Sequence, residues 1–473
     1  MLFSSPEFAV FLPCAFLLYL LLSKHLRLQN AFLLIASYIF YGWWDTRFLL
    51  LIAVSTLVDF AAGIAMHRFP RGRRVAMGIS LATNLGLLGV FKYFNFFIDS
   101  FQQLLTSIGI EQQAVTLNVI LPVGISFYTF QTLSYTIDVY RGRIEPCKDF
   151  IAFAAFVSFF PQLVAGPIER AAHLLPQFHR SRVVTLEGIW LGARQILWGL
   201  FKKMVVADNL AGMVNTIFSE HQSQSGAVLA IGVLFFAFQI YCDFSGYSDI
   251  ALGTSRIFGF DLCINFRYPY FSRDIAEFWR RWHISLSTWF RDYVYIPLGG
   301  SRGALRATAR NVLITFVISG LWHGANWTFV VWGAINGLLF LPLFLSGKNR
   351  TNLDTVAQNT WLPSLSEAIR MLTTFLLVCI AWVFFRAETL GDAFAYLNGI
   401  VSRPWYVDFD LYASRFVLIG VLLITEWLGR NRSFPFAKRI AGRWVDLAVI
   451  AFFFWATVIW ARTDHLEFIY FQF

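Results

Sequence analysis

The chain has 473 residues, of which 57% are hydrophobic, 18% aromatic and 14% charged, and its net charge is +10. Soluble domains are about 45–50% apolar and about 25% charged, so this composition excludes a soluble enzyme, a disordered chain and a fibrous repeat. The apolar runs are continuous, unlike the alternating strands of an outer-membrane barrel, and predict an all-α polytopic integral membrane protein. In such a protein, excess Lys and Arg indicates cytoplasmic loops beside anionic lipid, and no nucleic-acid partner is expected.

Apolar runs recur along the whole chain, and we expect about 11–12 membrane-spanning helices. The first run is followed, not preceded, by basic residues, so it predicts a retained span with its N-terminus outside rather than a cleavable signal peptide. The runs lie near residues 8–23, 30–44, 48–66, 75–98, 115–139, 150–166, 186–201, 226–246, 311–345, 369–385, 415–428 and 444–461.

The loops differ in charge, and cytoplasmic loops are the ones that carry Lys and Arg. Loop 99–114 holds Asp99 and Glu111 but no Lys or Arg, and we expect it outside. Segment 430–443 holds five basic residues and no acid. We expect this segment inside, which leaves the C-terminal tail outside.

Two basic segments in the middle of the chain, 141–182 and 267–310, are both expected on the cytoplasmic side. Three apolar runs separate them, and an odd number of spans cannot return the chain to the side it left. We therefore expect 150–166 to be a re-entrant element that enters and leaves on the same side. The topology of 150–205 stays open at this point.

Residues 274–295 have a helical period but too many charges for a span. Phe278 and Trp282 lie on one apolar stripe, opposite a polar stripe. Glu277 and Arg281 are four residues apart and are expected to pair. The pattern predicts an amphipathic helix in the cytoplasmic interface, which can also line a cavity.

The longest apolar stretch, 311–345, is slightly too short for two spans of about 20 residues each. It predicts a hairpin whose turn, Trp322–Asn326, stops below the outer surface. The sequence has no tandem repeat or low-complexity linker, so one integral membrane domain over 1–473 is expected. This domain has N-terminal helices in 1–100, core motifs in 121–345 and C-terminal helices in 369–461.

His323 is the one histidine of eight that lies deep in an apolar run. Ionisable side chains are costly inside a membrane and mark a functional site by default. Burial favours the neutral imidazole, which can take a proton from a hydroxyl. Asn326 offers a donor and an acceptor nearby and is a candidate substrate-binding residue. The alternative is a structural histidine that bridges two helices.

Four neighbouring residues of the predicted amphipathic helix are further candidates: Arg280, Arg281, Trp282 and His283. A guanidinium binds phosphate in a fork, so the arginines suit an acyl donor that carries phosphates. They should also disfavour protonation of His283, which can orient a substrate or a thioester carbonyl. The alternatives are an interfacial histidine and arginines that bind lipid head groups.

Asp243 and Asp249 lie at the inner end of a predicted span, with Tyr247 between them. Such carboxylates usually pair with arginines, which favours a structural role, but Asp243 and Tyr247 are kept as candidate substrate-binding residues. The five cysteines form no CxxC pair, and no metal site or disulfide framework is predicted. The sequence also lacks a serine-hydrolase elbow, a zinc-protease motif and a phosphate loop, which disfavours a serine hydrolase and an ATP-driven pump.

Several long motifs, in order along most of the chain, resemble the membrane-bound O-acyltransferase family and its bacterial alginate O-acetylation branch. The two strongest are EFWRRWHISLSTWFRDYVYIPLGG at 277–300 and LWHGANWTFVVWG at 321–333. The others are LPVGISFY at 121–128, PQLVAGP at 161–167 and DFSGYSD at 243–249.

The resemblance implies that His323 matches the essential histidine of the family. His283 matches the second position, which is Asn in many eukaryotic relatives. It also implies a ring of spans with re-entrant elements around a thinned centre, with a cytoplasmic funnel that reaches the histidine.

The implied activity is O-acetylation of an extracytoplasmic polysaccharide across the bacterial inner membrane, with both termini periplasmic. The implied donor is acetyl-coenzyme A or an acyl carrier, used as a substrate and not as a bound cofactor. Periplasmic or membrane-anchored acetyltransferase partners are expected beside the lipid bilayer. The acceptor stays open among alginate, cellulose and similar exopolysaccharides.

Two other functions are compatible with the residues alone. A transporter or flippase for an acyl donor or small anion also needs buried polar groups and a re-entrant run, but transporters often show internal repeats. A structural anchor for a polysaccharide-export complex leaves the WHGAN turn at 322–326 unexplained.

Overall fold

A computed structural model describes residues 1–110, 116–117, 121–439, 442–462 and 468–469. All regular secondary structure within these ranges is helical, which confirms the predicted all-α class. Residues 111–114 of the predicted outer loop, including Glu111, lie outside the described residues, as do residues 463–467 and 470–473 of the C-terminal tail. The expected outward position of that tail stays a prediction.

The chain separates into two compact units, Met1–Gly188 with Ser255–Leu262 and Ile189–Thr254 with Cys263–Phe473. Every predicted site residue lies in the second unit, and the expectation of a single domain stays a prediction. The helices of the first unit are α1 (Pro6–Leu21), α2 (Leu26–Gly42), α3 (Phe48–Arg68), α4 (Arg73–Leu88), α5 (Phe94–Ser107), α6 (Ile125–Tyr140), α7 (Phe150–Ser158), α8 (Phe160–Leu163) and α9 (Ala171–Leu174).

The second unit contains most or all of eleven described helices, several of which are broken near the predicted site. Short π-helical segments follow two of them, at Phe201–Ala207 and Arg291–Tyr295. The helices are α10 (Leu186–Leu200), α11 (Asp208–Ser219), α12 (Gly226–Ile257), α13 (Ile275–Arg281), α14 (Ile284–Phe290), α15 (Leu305–His323), α16 (Trp327–Leu345), α17 (Leu365–Arg386), α18 (Leu390–Ser402), α19 (Asp410–Gly429) and α20 (Arg443–Trp460).

Six helical segments of the described chain are long and apolar enough to cross a membrane. Each coincides with a predicted apolar run, which confirms a multi-pass membrane protein. The other runs form helices that are shorter or less apolar, so the count of about 11–12 spans stays a prediction. The six segments are Phe48–Arg68, Pro70–Ser107, Gly226–Ile257, Trp327–Leu345, Leu365–Arg386 and Arg443–Trp460.

The predicted re-entrant run at 150–166 is broken rather than continuous. Its first helix, α7, has 9 residues and is therefore only about 13 Å long, far short of a membrane core of about 30 Å. The backbone leaves the helical conformation at Phe159 and re-enters it for one turn at α8. These lengths agree with an element that does not cross the membrane.

A buried carboxylate links three helices of the first unit. Asp59 on α3 accepts hydrogen bonds from Asn84 on α4 (2.9 Å to Oδ2) and from Thr136 on α6 (3.2 Å to Oδ1). Ser80 donates to the same carboxylate, and Ser55 donates to Asn84. In the absence of a hydrophobic force between membrane helices, such bonds are one of the interactions that hold them together.

The stretch 311–345 forms the predicted hairpin, with α15 and α16 joined by a turn at 324–326. Two glycines let its helices approach closely. A Cβ at Gly320 would collide with the carbonyl oxygen of Phe329, and a Cβ at Gly333 would collide with that of Phe316. This close packing fixes the end of α15, where His323 lies.

The prediction of one continuous helix over 274–295 is wrong. The helix breaks between α13 and α14, because His283 adopts a left-handed backbone conformation with φ of 43°. The break also turns the segment inward: Phe278, Trp282 and His283 are each 1% exposed. The apolar period is real, and its residues are buried within the second unit. The position of this segment at the cytoplasmic interface stays a prediction.

Candidate active site

His323 is the last residue of α15 and is 3% exposed. Its imidazole lies among aromatic rings, with centroid distances of 5.0 Å to Trp322, 5.0 Å to Trp332 and 5.4 Å to Phe385. Three aromatic rings therefore surround the imidazole, and the neutral, proton-accepting form expected from the sequence stays a prediction.

The turn after His323 is built for close packing. Gly324 is required there, since a Cβ would collide with the ring of Phe329. Asn326 caps α16 by accepting a bond from the backbone N–H of Thr328 (3.0 Å), and it donates to the carbonyl of Glu388 (2.9 Å). These contacts give Asn326 a structural task, and its predicted role in substrate binding stays a prediction.

His283 lies next to His323, with 6.4 Å between the ring centroids. Its ring packs edge-on against Phe244 at 4.6 Å and lies 6.0 Å from Trp322. The fold therefore brings together the two predicted catalytic residues, although they are 40 positions apart, one at the break between α13 and α14 and the other at the end of α15. His283 is buried within the second unit, and the alternative of an interfacial histidine stays a prediction.

Asn265 holds His283 in place. Its side-chain oxygen accepts the backbone N–H of Ser285 (3.3 Å), which can only donate, and this fixes which end of the amide faces His283. The same oxygen lies 3.0 Å from Nδ1 of His283, so Nδ1 carries the proton in the neutral ring. The lone pair is then on Nε2. Asn265 is completely buried, and its amide nitrogen donates to Ser248 (3.4 Å).

His283 lies outside the six membrane-spanning segments, and burial lowers its pKa to about 3. The cause is the loss of water around the charged form, and not the neighbouring arginines as expected from the sequence. His283 is therefore neutral throughout the physiological pH range, with Nε2 able to accept a proton or a hydrogen bond.

The predicted pair of Glu277 and Arg281 is confirmed, with 2.7 Å between Oε1 and Nη2. Glu277 also accepts from Arg273 (3.1 Å), which bonds Asp354 (2.8 Å). We call these four residues the ionic cluster. Arg280 donates to two backbone carbonyls, at 2.6 and 2.7 Å. Its carbonyl partners are Asn349 and Asn352.

Both arginines proposed for phosphate thus hold loops and charges of the fold, and their binding of a donor stays a prediction. Trp282, the third candidate beside them, packs 5.0 Å from the ring of Trp382 and 5.1 Å from that of Phe266. Its 1% exposure places it in the core that supports His283.

The two aspartates in the second half of α12 are paired, as expected, but with lysines rather than arginines. Lys203 lies 2.7 Å from Asp243, and Lys202 lies 2.6 Å from Asp249. Asp243 also accepts from the backbone N–H of Ile469 (2.7 Å). These contacts show a structural role for Asp243, and its substrate-binding role stays a prediction.

Tyr247, on the same turn of α12, is 4% exposed and lies 5.1 Å from the ring of Phe468. Its predicted contact with substrate also stays a prediction.

Sequence reasoning missed Asn265, Lys202 and Lys203. The two lysines had a usable signal, because they stand between apolar residues at the end of the run 186–201, where an unpaired charge is costly. Asn265 had none: it lies in an irregular segment, and its importance depends on a contact with a residue 18 positions away.

Comparison with known proteins supports the same region. A family model described as MBOAT, membrane-bound O-acyltransferase family, matches residues 147–387, which include all the predicted site residues. The probable alginate O-acetylase AlgI of Pseudomonas aeruginosa is 42% identical to this chain over 85% of the chain and 75% of its own length. The peptidoglycan O-acetyltransferase of Helicobacter pylori is 35% identical over 85% of this chain and 80% of its own length.

A third relative is more distant: the teichoic acid D-alanyltransferase of Streptococcus thermophilus is 29% identical over 56% of this chain and 68% of its own length. The family model covers about half of the chain, and the relative from Pseudomonas aeruginosa matches most of both sequences. The chain belongs to the membrane-bound O-acyltransferase family and is an acyltransferase.

Proposed function

We propose that this protein transfers an acetyl group from a cytoplasmic donor, acetyl-coenzyme A, to a hydroxyl destined for an extracytoplasmic polysaccharide. The observation that carries the proposal is the pair of buried, adjacent imidazoles at His283 and His323. Relatives named for O-acetylation of alginate and of peptidoglycan support an acetyl group and a polysaccharide acceptor.

In the proposed reaction His323 is the general base. It takes the proton from the acceptor hydroxyl while the oxygen attacks the thioester carbonyl. The new C–O ester bond forms as the C–S bond breaks, and the proton passes to the departing thiolate of coenzyme A. The aromatic walls around His323 support this role, because a base in a dry site is not competed for by water.

His283 is proposed as the residue that positions the hydroxyl. With Nδ1 bonded to Asn265, its Nε2 accepts a hydrogen bond and cannot donate one to a thioester carbonyl. This tautomer therefore supports contact with a hydroxyl or an amide N–H, in place of the contact with a thioester carbonyl considered from the sequence.

The remaining parts of the proposal concern location and partners. We place the protein in the bacterial inner membrane with both termini periplasmic, and with periplasmic or membrane-anchored acetyltransferases that complete delivery to alginate, cellulose or a similar polymer. The charge of loops 99–114 and 430–443 supports this orientation. The names of the relatives support the type of acceptor.

The test is His323→Ala in cells that lack the native gene copy. We expect the acetyl content of the exported polysaccharide to fall to background while the amount of protein in the membrane is unchanged. His67→Ala, at an exposed position on α3, is the matched control and should retain acetylation. Wild-type acetyl content in the His323→Ala strain would contradict the proposal.

A further inference from the structure

An open groove of about 860 Å³ lies between α19 and α20, away from the histidine pair. Its α19 wall includes Val421, Ile424 and Leu428, which lie on one stripe of the helix. Phe452 on α20 forms part of the opposite wall. Ile424, Leu428 and Phe452 are 64%, 57% and 49% exposed. Apolar side chains are therefore exposed along both walls of the groove.

One end of the groove is positively charged. Arg430 and Arg432 line it, and no carboxylate does so among the residues that the structure describes. Arg430, which is 8% exposed, donates only to neutral backbone carbonyls within the described chain. These carbonyls belong to Val356, Trp427, Ala357 and Thr360.

Besides these neutral partners, the guanidinium of Arg430 lies 4.5 Å from the ring centroid of Trp427, but no carboxylate pairs with its charge within the described chain. Burial lowers the pKa of this guanidinium, with no acidic neighbour to oppose the shift. Arg432 uses Nη1 for the carbonyls of Pro435 and Lys438, and neither its Nε nor its Nη2 bonds a described residue. An anion at this end would therefore be favoured by two adjacent cations.

We propose that this groove binds a phospholipid of net negative charge, with its phosphate at Arg430 and Arg432 and an acyl chain between α19 and α20. The apolar wall extends from Arg430 to Val421, which is nine residues or about 13 Å. An acyl chain can pack along a wall of this length, whereas a free phosphate has no apolar part to contact it. The link 430–443 carries five basic residues and no acid, which favours an anionic head group over a zwitterionic one.

The test measures lipids bound to the purified full chain by native mass spectrometry, with phosphatidylglycerol or phosphatidylcholine added at equal concentration. We expect about fivefold greater occupancy by phosphatidylglycerol. Arg432→Gln should remove that preference. Ile424→Trp, which fills the groove at an exposed position, should reduce the binding of both lipids. Arg415→Gln, on the same helix but outside the groove, is the control and should match wild type.

A further arm adds sn-glycerol 3-phosphate, which has the phosphate without the acyl chains. It should not displace phosphatidylglycerol, and displacement would show a soluble-anion site and overturn the lipid proposal. Equal occupancy by the two lipids, or wild-type binding by either Arg432→Gln or Ile424→Trp, would also overturn it. None of these measurements depends on acyl transfer, so they stand apart from the test of the proposed function.

Discussion

Glu277 and Arg281 of the ionic cluster lie close in sequence to His283 of the histidine pair, yet the buried polar groups of the two sites have different surroundings. In the cluster, Arg281 and Glu277 are both buried and meet as opposite charges at 2.7 Å. At His283 and His323, the polar groups are also buried but are surrounded mainly by aromatic rings. At this site the amide of Asn265 bonds the imidazole of His283.

This difference separates residues that hold the fold from residues that can react. A buried ion pair is locked, because moving either charge exposes the other without compensation. A neutral imidazole can gain and lose a proton without leaving an unpaired charge in its resting state. From the sequence alone, His283 and the arginines were all candidates, and the structure gives Arg280 and Arg281 contacts that hold the fold.

The largest effect is expected at the histidine pair. His283→Gln keeps much of the side-chain volume but removes the imidazole, and we expect transfer to fall by about 10²–10⁴-fold with little change in thermal stability. His221→Gln is the matched control, since His221 is also buried and bonds the carbonyl of Phe218. Initial rates of acetyl transfer by purified protein in nanodiscs are the measurement. Equal losses of transfer rate in His283→Gln and His221→Gln would show that His283 matters no more to the reaction than another buried histidine.

The second effect is expected at the ionic cluster, where a substitution should lower stability and leave the rate of transfer nearly unchanged. Glu277→Gln leaves Arg273 and Arg281 without their shared partner, and we expect a loss of about 3–5 kcal/mol in the free energy of unfolding. The rate per folded molecule should stay near wild type. Asp292→Asn breaks an exposed pair with Arg291 and should cost at most about 1 kcal/mol.

Unfolding curves in detergent, with active-site titration of the folded fraction, check this prediction. A Glu277→Gln protein that is as stable as wild type but slow in transfer would place the cluster in the reaction.

The third effect tests how Asn265 positions His283. Asn265→Leu removes the acceptor of the Nδ1 proton, and we expect transfer to fall by about tenfold. Asn265→Asp keeps an acceptor and adds a charge that raises the pKa of His283 from about 3 towards the neutral range. Protonation removes the Nε2 lone pair, so the rate of this variant should fall as the pH drops through the raised pKa.

Wild type should show no such fall from His283 above about pH 4, because its pKa is about 3. The pH profiles of wild type and Asn265→Asp are compared under identical conditions. Superimposable profiles, or an Asn265→Leu rate equal to wild type, would contradict a positioning role.

The smallest effect is expected at Arg280, whose two Nη atoms bond backbone carbonyls. Arg280→Gln should raise the KM for acetyl-coenzyme A by less than about fivefold and leave kcat unchanged. Arg302→Gln, at an exposed position, should have no effect. An increase in KM above about tenfold for Arg280→Gln alone would show that this arginine binds the donor and does more than hold the fold.

The parts of the fold that depend on local pattern were predictable. Continuous apolar runs located the six spanning segments, and the short run at 311–345 indicated a hairpin with His323 at its turn. The four-residue spacing of Glu277 and Arg281 predicted their pair.

The parts that depend on distant contacts were not predictable. A helical period gives no sign that the backbone reverses at His283, because the left-handed conformation there is imposed by packing. The contact that fixes its tautomer comes from Asn265, in a segment without a regular period. The lysine partners of Asp243 and Asp249 lie on the preceding helical stretch, and only the three-dimensional fold shows which cation reaches which carboxylate.

The central claim is that His283 and His323 act as one site, and a double-mutant cycle tests it most directly. The release of coenzyme A from acetyl-coenzyme A is measured for wild type, His283→Gln, His323→Ala and the double variant, each purified in nanodiscs with the same hydroxyl acceptor. Residues that act as a unit are strongly non-additive, so we expect the double variant to be within about threefold of the slower single variant. Losses that multiply, or single variants with wild-type rates, would contradict the account.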